Sequence, residues 1–198
     1  MLKIGITGNI GSGKTTVSKI FEVLEIPVFY ADVAAKKIMV EDHLLIDALK
    51  KTFGPKAYFS DGTLNRQYIS SIVFNNEAEL AKLNSIVHPA VFRAFHAWTA
   101  GIKDAPYVVK EAALLFESSS YKMCDYSVMV TAPLELRMQR VLQRDGLTRA
   151  EVESRNARQF TEDEKVRLAD HVIYNDDSRL VIPQVLGLHR QFLALAAQ

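Results

Sequence analysis

Gly8-Asn9-Ile10-Gly11-Ser12-Gly13-Lys14-Thr15, with Thr16 directly after it, spaces two glycines, a lysine and a hydroxyl as in the pattern G-x-x-x-x-G-K-[ST]. Glycines let a backbone curl tightly and bring its N–H groups within hydrogen-bonding distance of anionic oxygens. In such a loop Lys14 reaches the β- and γ-phosphates of a nucleotide, and the Thr15 hydroxyl ligates Mg²⁺. A glycine-rich turn that merely joins a strand to a helix has similar glycines, so the flanks decide. Before the loop, Leu2-Lys3-Ile4-Gly5-Ile6 reads as a short buried strand; after it, Val17, Ile20, Phe21 and Leu24 recur at helical spacing. The order is strand, loop, helix, and the helix's unpaired N–H groups and positive dipole end favour an anion.

Two carboxylates stand where such a loop needs partners. Asp32 follows the short apolar run Ile26-Pro27-Val28-Phe29-Tyr30, and Glu111 ends the run Tyr107-Val108-Val109-Lys110. In an open parallel sheet, ligands bind outside the carboxyl ends of the strands, so both acids are expected to face the phosphate loop. Asp32 can accept the proton of a hydroxyl acceptor, and it can also cap the helix expected over 33–40. Glu111 can act through Mg²⁺; its plainer reading is a solvated strand-end charge. Arg137, Arg140 and Arg144 lie three and four residues apart on one helical stripe, beside an apolar stripe of Leu134, Met138 and Val141. Arginine forks suit phosphate clamping by a mobile segment, although several of these charges would equally form a salt-bridged surface.

The elements that must hold these groups read as an α/β chain. Strands are expected at 2–6, 26–30, 107–111, 125–130 and 172–174, all parallel, with helices on both faces. Residues 33–100 interrupt the alternation with helical patterns alone, which marks a helical insertion of the kind that selects a substrate. Within it, Pro89 of His88-Pro89 should kink or break the helix that runs from Leu80 toward Trp98. The Trp98 stripe reads as core. Thr148-Arg149-Ala150-Glu151 is a capping box, so a lid helix should begin there. The expected division is a nucleotide-binding core of 1–32, 101–144 and 169–198, a helical acceptor-binding domain of 33–100, and a lid of 145–168.

Composition narrows the partners. A net charge of +1 gives no support for nucleic-acid coating or a membrane surface, and the arginine-rich span 135–170 is balanced by acids. The single Cys124 excludes an internal disulfide and points to a reducing compartment. No targeting segment and no apolar run of about 18 residues is visible, so the protein is expected in the cytoplasm, with no obligate protein partner evident.

With these residues in view, the chain resembles the dephospho-coenzyme A kinases over essentially its whole length. The resemblance is carried by Thr7 to Thr15, Ala31-Asp32, Asp61-Gly62-Thr63-Leu64-Asn65-Arg66 and His88-Pro89. Leu114-Leu115-Phe116-Glu117, Gln139-Arg140 with Gln143-Arg144-Asp145, and Ala169 to Asn175 complete it. It implies a P-loop kinase fold and transfer of phosphate from ATP, with Mg²⁺, to the ribose 3′-hydroxyl of dephospho-CoA. It further implies Asp32 as base, Lys14 and Thr15 on phosphate and metal, Arg140 and Arg144 as phosphate-side charge, and Asn175 near the adenine. Arg66, His88 and Leu114, with Asp32, fall on the acceptor side. This chain departs from the family pattern with Asn9 for a glycine, Tyr30 for an aspartate, Glu111-Ala112-Ala113 for Asp-x-Pro, and Asp176-Asp177 for a glycine. A nucleoside monophosphate kinase would share loop and lid, but its phosphate acceptor is already ionised and makes Asp32 superfluous. A GTPase-type switch would carry an Asn-Lys-x-Asp signature, which is not present in the sequence.

Overall fold

The computed structural model describes residues 1–74 and 76–198. Two compact units make up the chain: Met1–Tyr30 with Ile102–Gln198, and Ala31–Gly101.

The first unit is built on a five-stranded, all-parallel sheet. Its strands are β1 (Leu2–Thr7), β2 (Val28–Tyr30), β3 (Tyr107–Glu111), β4 (Tyr126–Thr131) and β5 (His171–Tyr174), in the order β2-β3-β1-β4-β5. Alternation along the strands sends Ile4, Ile6, Tyr107, Val109, Val128, Val130 and Ile173 to one face. There they pack on Val17 and Phe21 of α1 (Lys14–Val23) and on Val185 and Phe192 of α9 (Val181–Ala196). Lys110 and Met129, on the alternate positions, are buried too. At Gly5 an added Cβ would lie 2.8 Å from a Leu115 methyl, so the connection after β3 runs hard against the sheet. With both faces covered, the strands read as nearly continuous apolar runs. Three further helices belong to this unit: α6 (Leu134–Asp145), α7 (Arg149–Asn156) and α8 (Glu162–Leu168). The capping box Thr148/Glu151 does open α7, and a second one, Thr161/Glu164, opens α8.

The second unit holds α2 (Ala31–Glu41), α3 (His43–Phe53), α4 (Arg66–Val73) and α5 (Glu77–Ala100). Asp42, Asn65 and Asn76 each accept a backbone N–H to start a helix. Leu45, Leu49, Phe53, Ala57, Tyr58, Ile69 and Ala90 form its core. Of the kink or break expected at Pro89, the break does not occur: α5 runs through it. Proline there removes one helix bond at a cost of about 3 kcal/mol. The half-buried Leu83, Ile86 and Val87 before it and the buried Ala90 after it all pack into the same core, and fully burying a large aliphatic side chain is worth about 1.5–3 kcal/mol. Several such partial burials together offset the lost bond.

Candidate active site

The phosphate loop leaves the carboxyl end of β1, the central strand, and enters α1. Its curl is closed by the Ser12 N–H donating to the Asn9 carbonyl at 3.0 Å. Glycine is needed at two crossings in particular. A Cβ on Gly8 would overlap the Ser12 hydroxyl and the Val130 carbonyl. Gly13 sits at φ 94°, and a Cβ there would also strike the Asn175 side-chain amide, which donates to the Ser12 carbonyl at 2.8 Å. Gly13 also stands at the N-cap of α1, and with no side chain it leaves the first helical N–H groups to an incoming anion. Lys14 and the exposed Thr15 and Thr16 form the first turn.

Glu111 lies in register with Ile6 on one side and Tyr30 on the other, which brings the end of β3 beside the loop. The Thr15 hydroxyl donates to the Glu111 carboxylate, at 3.3 and 3.5 Å from its two oxygens. Glu111 itself is only 7% exposed, so it is not the solvated strand-end charge of the plainer reading. Burial, then the carboxylates of Glu22 and Glu111, hold the Tyr30 phenol well above its ordinary pKa, so it stays a neutral hydroxyl.

The side of the loop facing α6–α8 is held by residues far along the chain. The Asn9 side-chain amide donates to the Phe160 carbonyl at 3.0 Å, and the Ile10 N–H donates to Gln159 Oε1 at 2.9 Å. Arg137, 4% exposed, donates to the carbonyls of Ala132 and Ile10, to Asn156, and to Glu162 at 3.1 Å. Glu162 in turn accepts from the Thr131 hydroxyl. Lys165 is fully buried and pairs with Glu117 at 2.9 Å. Burial lowers the Lys165 pKa below the usual lysine range, and the Glu117 carboxylate opposes that shift.

The other predicted residues fall into separate places. Arg140 donates to the Asn175 carbonyl at 2.9 Å and to Asp177 at 3.1 Å, so it props the segment whose amide reaches Ser12. Arg144 does not share that contact: it is turned to its neighbour Asp145 at 2.7 Å and is largely exposed. Leu114, half-buried in the turn after β3, accepts from the Ser118 N–H and hydroxyl through its carbonyl. Asp32, Arg66 and His88 belong to the helical unit. Asp32 is exposed in the first turn of α2, Arg66 is the exposed first residue of α4, and His88 stacks on Phe92 with ring centroids 6.4 Å apart. Among the described residues no group of three or more His, Cys, Asp or Glu gathers as a metal cage. Among them also, no helix is long and apolar enough to cross a membrane.

Gln159, Lys165 and the burial of Arg137 were not legible in advance. Lys165 sits in the charged run Glu162-Asp163-Glu164-Lys165, which looks like a solvated face. Glu117 had a signal, as the acid that closes Leu114-Leu115-Phe116-Glu117.

A glycine loop passing from the central strand of a parallel sheet into a helix, with its hydroxyl against a strand-end carboxylate, defines a P-loop nucleotide-binding protein. Comparison with known proteins narrows the class. The dephospho-CoA kinase family matches residues 2–180. A dephospho-CoA kinase of Salinibacter ruber is 41% identical over 178 residues, which is 89% of each chain. A solved structure from Thermus thermophilus superposes with a TM-score of 0.85, 35% identity and 96% of both chains covered. The dephospho-CoA kinase of Campylobacter jejuni superposes at 0.66, with 25% identity, covering 99% of this chain and 98% of that one. The chain belongs to the dephospho-CoA kinase family.

Proposed function

We propose that this protein transfers the γ-phosphoryl group of ATP to the ribose 3′-hydroxyl of dephospho-CoA, completing coenzyme A. The observation that carries the reading is the Thr15 hydroxyl against the Glu111 carboxylate at the mouth of the phosphate loop, in a chain whose family is named for that acceptor.

The loop amides and the first turn of α1 bind the phosphates, and Lys14 follows charge onto the β- and γ-oxygens as the bond breaks. Thr15 and Glu111 are two hard oxygen donors side by side, which fits Mg²⁺, a cation that takes one or two protein ligands and completes its shell with phosphates and water. Bound there, Mg²⁺ would neutralise charge on the transferred group. A ribose hydroxyl holds its proton at neutral pH, and Asp32 accepts it as the oxygen attacks. Arg140 supplies phosphate-side charge by giving up Asp177, Arg144 does so by giving up Asp145, and Asn175 lies toward the base. On this reading 33–100 recognises the acceptor through Arg66 and His88, Leu114 is a further acceptor-binding residue, and 145–168 supplies the lid over ATP. We take the compartment to be the cytoplasm, in keeping with a single, free cysteine.

The test is purified protein with ATP and a panel of acceptors: dephospho-CoA, adenosine monophosphate and uridine monophosphate. Dephospho-CoA should be turned over far faster than either monophosphate. Faster transfer to a monophosphate's phosphate would overturn the reading.

A further inference from the structure

The Ile10 backbone is held on both sides by protein. Its N–H donates to Gln159 Oε1 at 2.9 Å, and its carbonyl accepts from Arg137 at 3.3 Å. The other end of the Gln159 amide, Nε2, donates to the Ala113 carbonyl at 3.3 Å. That single oxygen also accepts from the buried Lys165 ammonium at 2.8 Å and from the Thr7 hydroxyl at 3.4 Å. Thr7 ends β1 where the loop begins, and Ala113 lies two residues beyond Glu111. Glu117, which pairs with Lys165, accepts from the Phe160 N–H at 2.8 Å and so fixes the backbone next to Gln159.

We propose that Gln159 is a positioning residue for nucleotide binding: it bridges the crest of the phosphate loop to the end of the Glu111 strand, with Lys165 and Glu117 holding that bridge in place. An amide N–H donates well to one acceptor, so while Gln159 holds Ile10 the phosphate oxygens are left to the amides from Gly11 onward. The loop therefore keeps its shape before the nucleotide arrives, and binding spends little on ordering it. It also divides the 145–168 segment. From Gln159 to Lys165 that segment supports the loop and does not swing away from it.

The inference rests on the phosphate loop being the ATP site, and ATP binding measured alone separates the two. Calorimetry with ATP and Mg²⁺ on the full chain is compared with the KM for dephospho-CoA and with the melting temperature. Gln159→Leu removes both bonds at nearly constant size and should weaken ATP binding about five- to tenfold, leaving the dephospho-CoA KM unchanged. Gln159→Glu keeps the acceptor for Ile10, but sets an acceptor against the Ala113 carbonyl and a negative charge beside the phosphates. It should bind ATP more weakly than Gln159→Leu. Should Gln159→Leu not fold, the isosteric Gln159→Glu decides by the same measurement. A parent protein that does not bind ATP overturns the kinase reading and this inference with it. A parent that binds ATP, alongside folded variants that bind it equally well, makes Gln159 a structural residue only, whatever happens to the melting temperature.

Discussion

The Thr15 hydroxyl lies 3.3 Å from one oxygen of the Glu111 carboxylate and 3.5 Å from the other. One group belongs to the first turn of α1 and the other to the end of β3; the β1–β3 pairing that sets Ile6 opposite Glu111 brings them together. Glu111→Gln keeps the size and the hydrogen bond while removing the charge. The Mg²⁺ concentration for half-maximal activity should rise on the order of tenfold or more, the range seen when groups around a metal are altered. An unchanged Mg²⁺ titration would mean that Glu111 serves only to hold Thr15.

Lys14→Ala should leave a folded protein with little turnover. Lys14 sits at the loop–helix junction outside the sheet core, so the melting temperature should hold. Losing one preorganised group that meets developing charge typically costs about 10²–10³ in kcat. Near-normal kcat would remove Lys14 from the phosphate-transfer assignment.

Arg140 spans the Asn175 carbonyl and the Asp177 carboxylate with the two arms of its fork. Arg140→Lys keeps the charge but cannot span both, so kcat should fall with little change in stability. Asp177→Asn removes the negative charge paired with the guanidinium, and Asn tolerates the left-handed backbone at φ 64°, so kcat should equal or exceed the parent's. Should Arg140→Lys match the parent while Arg144→Lys fails, the two arginines exchange roles.

Asp32→Asn preserves shape at the start of α2 and removes the base. Turnover of dephospho-CoA should fall by about 10²–10⁴, with ATP affinity and melting temperature little changed. A variant that keeps kcat would leave the acceptor hydroxyl without a protein base and return Asp32 to the role of a helix-start residue.

The Tyr107 hydroxyl and His189 Nδ1 lie 2.6 Å apart where α9 packs on the sheet. Burial, and then the charge of Arg190, hold the His189 pKa below its ordinary 6.5. The unfolded chain therefore binds this proton more readily than the folded one. Stability from this site is present above about pH 6.5 and is lost as pH falls through the lowered value. Between pH 7 and pH 5 the parent should lose more melting temperature than His189→Gln does. Parallel curves for the two would show that His189 does not contribute to acid sensitivity.

Much of this protein was written locally. The loop from Gly8 to Thr15, the strands on either side of it, Asp32 after β2, Glu111 at the end of β3 and the Thr148/Glu151 capping box are all short-range patterns. Each is set by backbone freedom, burial period or hydrogen bonding to residues a few positions away, so a single chain read in order displays it. The resemblance to dephospho-CoA kinases rests on those same local patterns taken together.

Tertiary packing decided what no local rule contains. Pro89 stays inside a helix because apolar side chains on both sides of it share one core. Lys165, set among acids in sequence, is fully buried because the turn after β3 offers it both the Ala113 carbonyl and the Glu117 carboxylate. Arg137 and Arg140 look alike on one helical stripe, yet the first is enclosed by Ile10, Ala132, Asn156 and Glu162 and the second reaches out to Asn175 and Asp177. Gln159 meets Ile10 across a separation of 149 residues. A charge's fate depends on which distant groups surround it, since burying it is tolerated only where partners replace the lost water. The residue types and spacings thus name the chemistry of the loop, and the packing of the sheet and its covering helices determines which side chains hold that loop in shape.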